Sequence, residues 1–308
     1  MSTSVYIPNF WQSFEAAYRP RLPALERLVA RAGRQPDVAP RAFLAPLFGL
    51  TLDTLNDAPF THLADGGKPD GGYWLRADPV HLAPDRDQLV LMPESLLQVT
   101  SEEMAALAAA FNGVYGAEGW HLEFPHPARG YLRSPAPLTV TTRDPESLAG
   151  GPVLDAMPQG RHAAGLKQLM NETQMLFHTH AVNQVREEAG RPAINSLWFW
   201  GGGVLPPKSG RKPAQIVTDL PLVKGLARWS GATLQSPVPG STDDVLMAFA
   251  GADLPLLDHT CFASLFANLK AGKLPLLEMY LGDMGIFRVD ASAARRFWQR
   301  GRRLVPGP

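Results

Sequence analysis

The chain has 308 residues, with 29 Lys and Arg against 29 Asp and Glu, so its formal net charge at pH 7 is zero. With 45% hydrophobic and 19% charged residues it has the composition of a packed globular protein rather than a disordered one. The balanced charge argues against binding to nucleic acid or an anionic membrane through phosphate neutralisation, and the single cysteine, Cys261, excludes an internal disulfide framework and a cysteine zinc cage.

The first twenty residues, MSTSVYIPNFWQSFEAAYRP, lack the basic start and apolar run of a signal peptide. No stretch approaches the ~18 consecutive apolar residues of a membrane span, so a cytoplasmic, soluble protein is the expectation. Leu22, Leu25, Leu28 and Val29 recur at helical spacing before Gly33, which predicts a helix over 22–32. The run DGGKPDGG at 65–72 is a strong break. Strand patterns follow at 73–77 and 88–92. A helix over 101–111 opens with SEEM, placing acids in its first turn, and strand patterns recur at 122–124 and 138–142. The longest predicted helix covers 163–189, where Leu166, Leu169, Met170, Thr173, Leu176, Phe177 and His180 form one stripe, closed by Gly190 and Pro192. Directly after it, 193–200 reads as a buried strand closed by the glycines 201–203, with a second strong break over 201–213. A strand at 216–218, a helix at 221–230, a strand at 244–249 and a helix near 261–271 continue the alternation. LPLLEMYL and IFRV then read as strands around the turn 282–285, and ASAARRFWQR as a final helix. Strands alternating with helices on short connections favour an α/β sheet covered on both faces.

Few residues combine in patterns that carry chemistry. The triplet Gly201–Gly203 follows a strand, where open α/β sheets place ligands, and its backbone N–H groups could cradle an anion. It has neither dinucleotide nor P-loop spacing, so it also reads as a glycine turn passing close to a neighbour. His178 and His180 point roughly 200° apart on a helix and cannot share an ion, whereas His180 and Asn183 share a face. Asp258 and His259 form an adjacent pair that would need partners from elsewhere to hold a metal. Cys261 lies among Phe262, Leu265 and Phe266 and reads as a core residue. Arg76 and Asp78, in YWLRADPVHL, sit where a strand should end, either as a solvated strand end or as a carboxylate or phosphate clamp.

Several stretches together resemble the archaeal-type cofactor-independent phosphoglycerate mutases of the alkaline phosphatase superfamily, and more closely a bacterial group of RpfE-type regulatory proteins. In HAVNQVREEAGRPAINSLWFWGGGVLP, residues Asn183, Arg186, Pro192, Asn195, Gly201 and Gly203 match the mutase pattern of a helix end, a Pro-Ala-Asn strand and a glycine loop. IVTDLPLVKGLARWSGA (216–232), YWLRADPVHL (73–82, with Arg76 matching the family arginine) and LPALERLVARAG (22–33) are similar to further mutase segments. The resemblance implies an alkaline-phosphatase-like sheet core, 1–70 with 190–308, covered by helices on both faces, and an inserted smaller α+β lobe with its connecting helix over 71–189.

The departures from that family carry the functional expectation. Its chemistry needs a Ser or Thr nucleophile and two metal ions held by several Asp and His ligands. Here the first strand runs SVYIPNFW without an acid, no His follows His259, and Asp258–His259–Thr260 is the remaining ligand-like element. The arginine that precedes the family's glycine loop is replaced by Trp200, which removes a bidentate phosphate donor. The resemblance therefore implies a non-catalytic protein without a cofactor, used for binding or regulation. Arg76, Asp78, His180, Asn183, Asn195, Trp200, Gly201 and Gly203 would line a cleft for a small anionic ligand or a protein partner, and a homodimer is possible within the same reading. The alternative is an active metal-dependent mutase or phosphatase with two ions such as Mn or Zn, Asp258 and His259 among their ligands.

Overall fold

Every residue of β1 (Thr3–Ile7) is buried, as expected of a strand with neighbours on both edges and cover on both faces. The computed structural model describes residues 2–11, 20–85, 88–148, 153–235, 244–250 and 253–304. It divides into two compact units, Met1–Leu55 with Lys208–Pro308, and Asn56–Pro207.

The first unit begins with β1, α1 (Pro23–Arg31), β2 (Gly33–Gln35) and α2 (Pro40–Leu47). The chain then builds the second unit from α3 (Asp57–Ala64), β3 (Tyr73–Asp85), β4 (Gln88–Met92), α4 (Ser101–Tyr115), β5 (His121–His126), β6 (Arg129–Ser134), α5 (Ala163–His178), α6 (Ala181–Glu188) and β7 (Ser196–Gly203). It returns to the first unit with β8 (Gln215–Thr218), α7 (Pro221–Ser230), β9 (Thr233–Leu234), β10 (Val245–Ala248) and α8 (Leu254–Leu257). A π-helical segment, Asp258–Phe262, leads from α8 into α9 (Ala263–Lys270), followed by β11 (Leu276–Leu281), β12 (Ile286–Asp290) and α10 (Ala291–Ala294).

In the first unit a seven-stranded sheet has the order β2-β12-β11-β1-β10-β8-β9. It is parallel except at β12, which runs antiparallel to β11 and β2. Side chains alternate between the faces of a strand. Val5, Ile7, Leu277 and Met279 therefore meet Leu25 and Leu28 of α1 and Leu265 and Leu269 of α9 in one core. On the opposite face Tyr6 and Tyr280 meet Phe43 of α2, with ring centroids 6.1 and 5.9 Å away. The expected α/β sheet covered on both faces is what the chain forms.

The second unit is an α+β lobe built on the thirteen-residue strand β3, which pairs antiparallel with β4, β6 and β7, while β5 pairs with β6; spanning Asn56–Pro207, it is about equal to the first unit rather than smaller as expected. Met104, Leu107 and Phe111 of α4 and Leu166 and Phe177 of α5 pack on Leu75, Leu132 and Trp198. Thr100 caps α4 in a reciprocal box: its hydroxyl accepts from Glu103 N at 3.2 Å and its own N–H donates to Glu103 Oε2 at 2.9 Å.

Four local expectations differ from the structure. The single helix expected over 163–189 is two helices, because His180 is extended (ψ 139°) and its Nδ1 accepts from Val182 N at 3.2 Å, starting α6 afresh. Residues 138–142 form no strand; Thr141 makes an isolated antiparallel bridge to Gln159. The last helix stops at Ala294, before the Arg-rich segment. Residues 56–70 and 190–207 belong to the second unit and not to the core expected over 1–70 and 190–308, because β7 hydrogen-bonds to β3.

Candidate functional site

Arg76 and Asp78 lie in the middle of β3, not at its end, and alternation puts both on one face. Each is 6% exposed. Arg76 donates to Asp78 Oδ1 from Nε at 3.0 Å and from Nη2 at 2.6 Å, and Trp200 Nε1 donates to Oδ2 at 2.7 Å. The guanidinium also lies over the rings of Trp200 and Tyr131, 5.1 and 5.6 Å from their centroids. Burial holds the Asp78 carboxyl above the usual range in spite of Arg76 and Trp200. The expected clamp thus holds an anion supplied by the chain itself, and Trp200 is a ligand of that internal carboxylate.

Further polar groups continue this network without any signal in the sequence, since they come from α3, β5 and β6. Asp65 accepts from Arg129 at 2.8 and 2.6 Å and from the Tyr131 hydroxyl at 2.5 Å. Burial alone would raise the Asp65 carboxyl, but the hydrogen bonds from Arg129 and Tyr131 outweigh it and hold it low. His62 pairs with Glu123 and is flanked by the rings of Trp74 and Tyr131, at 4.4 and 4.5 Å.

The other residues expected to line a cleft hold backbone together. Asn183 donates from Nδ2 to the carbonyls of Phe177 and Ile194 at 2.8 and 2.9 Å, and its Oδ1 accepts from Ile194 N at 2.7 Å. Asn195 makes the same two-sided bridge to Leu82, at 2.8 and 3.0 Å. His180 is the cap of α6. Gly201 and Gly203 lie within β7, where a Cβ on Gly203 would come within 2.4 Å of Asn56 Nδ2. Gly201 N donates to Thr142 Oγ1 at 3.2 Å, so that N–H already has a partner. Of the two readings of the glycines, the close approach to a neighbour is the one the structure supplies.

Asp258 is 4% exposed, and its two oxygens accept from Ala24 N at 3.1 Å and Leu25 N at 2.8 Å. It sits at the positive end of α1 as an anionic cap brought from the far side of the sequence. His259 beside it is exposed. Among the described residues no three His, Cys, Asp or Glu side chains are grouped to hold a metal ion. The donors in view therefore do not fit the dense carboxylate set of a two-metal centre. Burial pushes the Cys261 thiol up to about 12, consistent with a core cysteine.

A separate concavity of 360 Å³ lies in the first unit, beyond the carboxyl ends of β1 and β11, where α/β sheets bind ligands. Asn9, Trp11, Asp37, Tyr280 and Asp283 line it. Its sequence signals were the strand end at Ile7–Pro8–Asn9 and the turn after Leu281, neither of which resembles a known motif.

No family model matches the chain. In sequence it is 29% identical over 167 residues to a probable 2,3-bisphosphoglycerate-independent phosphoglycerate mutase of Geobacter sulfurreducens, covering 51% of this chain and 41% of that protein. It is 31% identical over 113 residues to a 2,3-bisphosphoglycerate-independent phosphoglycerate mutase of Methanothrix thermoacetophila, covering 35% of this chain and 28% of that one. The chain is a low-identity relative of these mutases. Its matched segment spans less than half the length of either. In structure it aligns with the PH0037 protein of Pyrococcus horikoshii at a TM-score of 0.52 and 13% identity, covering 93% of this chain and 84% of the other, which shows a shared fold. No helix among the described residues is long and apolar enough to cross a membrane.

Proposed function

We propose that the protein is a non-catalytic relative of the phosphoglycerate mutases, of the RpfE regulatory type, that uses the inherited scaffold to bind rather than to transfer a phosphoryl group. The observation that supports this most is Asp258. The one ligand-like element of the sequence has both carboxylate oxygens engaged by the N-terminus of α1. The Arg76 clamp is likewise closed on Asp78, so neither feature is available to a phosphate ester or its metal ions.

The test is metal analysis after incubation with Mn²⁺, Mg²⁺ or Zn²⁺ and dialysis, together with an assay of 3-phosphoglycerate turnover. The expected result is no retained stoichiometric metal and no turnover. Two tightly held ions per chain, or turnover abolished by a chelator, would establish the enzyme instead.

A further inference from the structure

The strand-end concavity of the first unit has the wrong charge for a phosphate ester. Two carboxylates, Asp37 and Asp283, line it, and among the described residues no Lys, Arg or His does. An anion entering would meet like charge without a compensating donor cation.

A buried tyrosine is among the residues that line it. Tyr280 is 3% exposed, and its ring is held by Tyr6 and Phe43 at centroid distances of 5.3 and 5.9 Å. Among the described residues its hydroxyl makes no hydrogen bond, and the residue opens onto the concavity. With no partner among the described residues, this oxygen is available for a donor supplied from outside. Burial, and then the neighbouring Asp283, push the phenol up, so it stays protonated and can also donate. The aromatic wall is continued by Trp11, set edge-on to Phe10 at 5.1 Å. Asp37 is held at φ 53°, a conformation uncommon outside glycine. Such backbone strain concentrates at binding sites.

We propose that this pocket binds a small organic cation, an aliphatic ammonium compound, whose N–H groups reach Asp37, Asp283 and the Tyr280 hydroxyl. The proposal deepens the binding function above and rests on it. Carboxylates supply the charge, the phenol supplies an acceptor, and the aromatic wall suits a cation flanked by methylene groups. The volume sits at the lower end of the ~300–1,000 Å³ typical of small-molecule sites.

The test is calorimetric titration of the full chain with 1,4-diaminobutane and 2-aminoethanol, with 1,4-butanediol, Mn²⁺ and 3-phosphoglycerate as comparisons. The amines are expected to bind and to weaken with added salt. The diol, which keeps the chain length without the charge, is expected not to bind. Asp37→Asn, which keeps a residue tolerant of this backbone conformation, and Asp283→Asn should each weaken binding about three- to fivefold, as for exposed charge pairs. Tyr280→Phe should weaken it with the melting temperature unchanged. Equal binding of the diol, amine affinity unchanged in the Asp37→Asn/Asp283→Asn double variant, or no amine binding would overturn the ligand class. If 3-phosphoglycerate were silent as well, the non-catalytic reading would still stand. Turnover with retained Mn²⁺ would remove that reading itself.

Discussion

Asp258→Ala separates a structural carboxylate from a metal ligand. The native side chain is buried and accepts two backbone N–H bonds at 3.1 and 2.8 Å from Ala24 and Leu25, the first turn of α1. Hydrogen bonds to a charged group contribute about 1.5–3 kcal/mol each, and an anion at a helix N-terminus a further ~0.3–1 kcal/mol. The terms overlap because they share one charge, and alanine leaves two buried donors unbonded, so the expected loss is about 3–5 kcal/mol. Asp258→Asn keeps one acceptor but turns an amide donor toward the second N–H, for an intermediate loss of about 2 kcal/mol. The direct assay is amide exchange at Ala24 and Leu25, read beside urea unfolding. A loss near 3 kcal/mol lowers protection of those amides by about two orders of magnitude. Unchanged exchange at both positions, with stability altered by under ~0.5 kcal/mol, would refute the capping role and reopen Asp258 as a ligand.

Arg76→Ala leaves the Asp78 carboxylate buried without its cation and should cost about 3–5 kcal/mol, whereas Arg76→Met with Asp78→Leu should recover most of it; thermal melts decide, and a double variant as unstable as the single would contradict this. Burial raises the Asp78 carboxyl, so its ionised form is less favoured in the fold than in the unfolded chain. The Arg76→Ala deficit should accordingly shrink as pH falls through the raised folded value toward about 4. Asp65 has the opposite sign. Its carboxyl is held low by Arg129 and Tyr131 against burial, so its stabilisation is full above the unfolded value near ~4 and is lost as pH falls through the lower folded value. Asp65→Asn should cost about 2–3 kcal/mol at pH 7 and flatten the acid limb of a stability-against-pH curve; an acid limb identical to that of the native chain would exclude the pairing as its cause.

Elements with strong local signals were legible in the sequence. The helix over 22–32 corresponds to Pro23–Arg31, and the helix over 221–230 to Pro221–Ser230, because Pro at the start, an apolar stripe and Gly or a basic residue at the end all act within one or two turns. The strand after Pro192 is also legible, but its extent is not: Gly201–Gly203 read as a loop, yet they continue β7 through the pairing of Gly203 with Trp74, where Asn56 and Tyr73 leave no room for a Cβ. His180 fitted the apolar stripe of one long helix, and only the hydrogen bond from Val182 N shows that it begins a second.

Composition and periodicity determined the class of fold and part of the order of its elements, while α2, α3 and β6 are not among the elements they predict. They could name Arg76, Asp78, Trp200 and Asp258 as unusual, since charge and aromaticity are properties of single residues. What each does was decided by partners distant in sequence: Trp200 stands 122 positions from Asp78, and Ala24 stands 234 from Asp258. A buried polar atom takes the partner that folding brings within about 3 Å, and no local pattern encodes which one that will be. The charge of the strand-end pocket is of the same kind, because Asp37 comes near Tyr280 and Asp283 only once β2, β12 and β11 lie side by side.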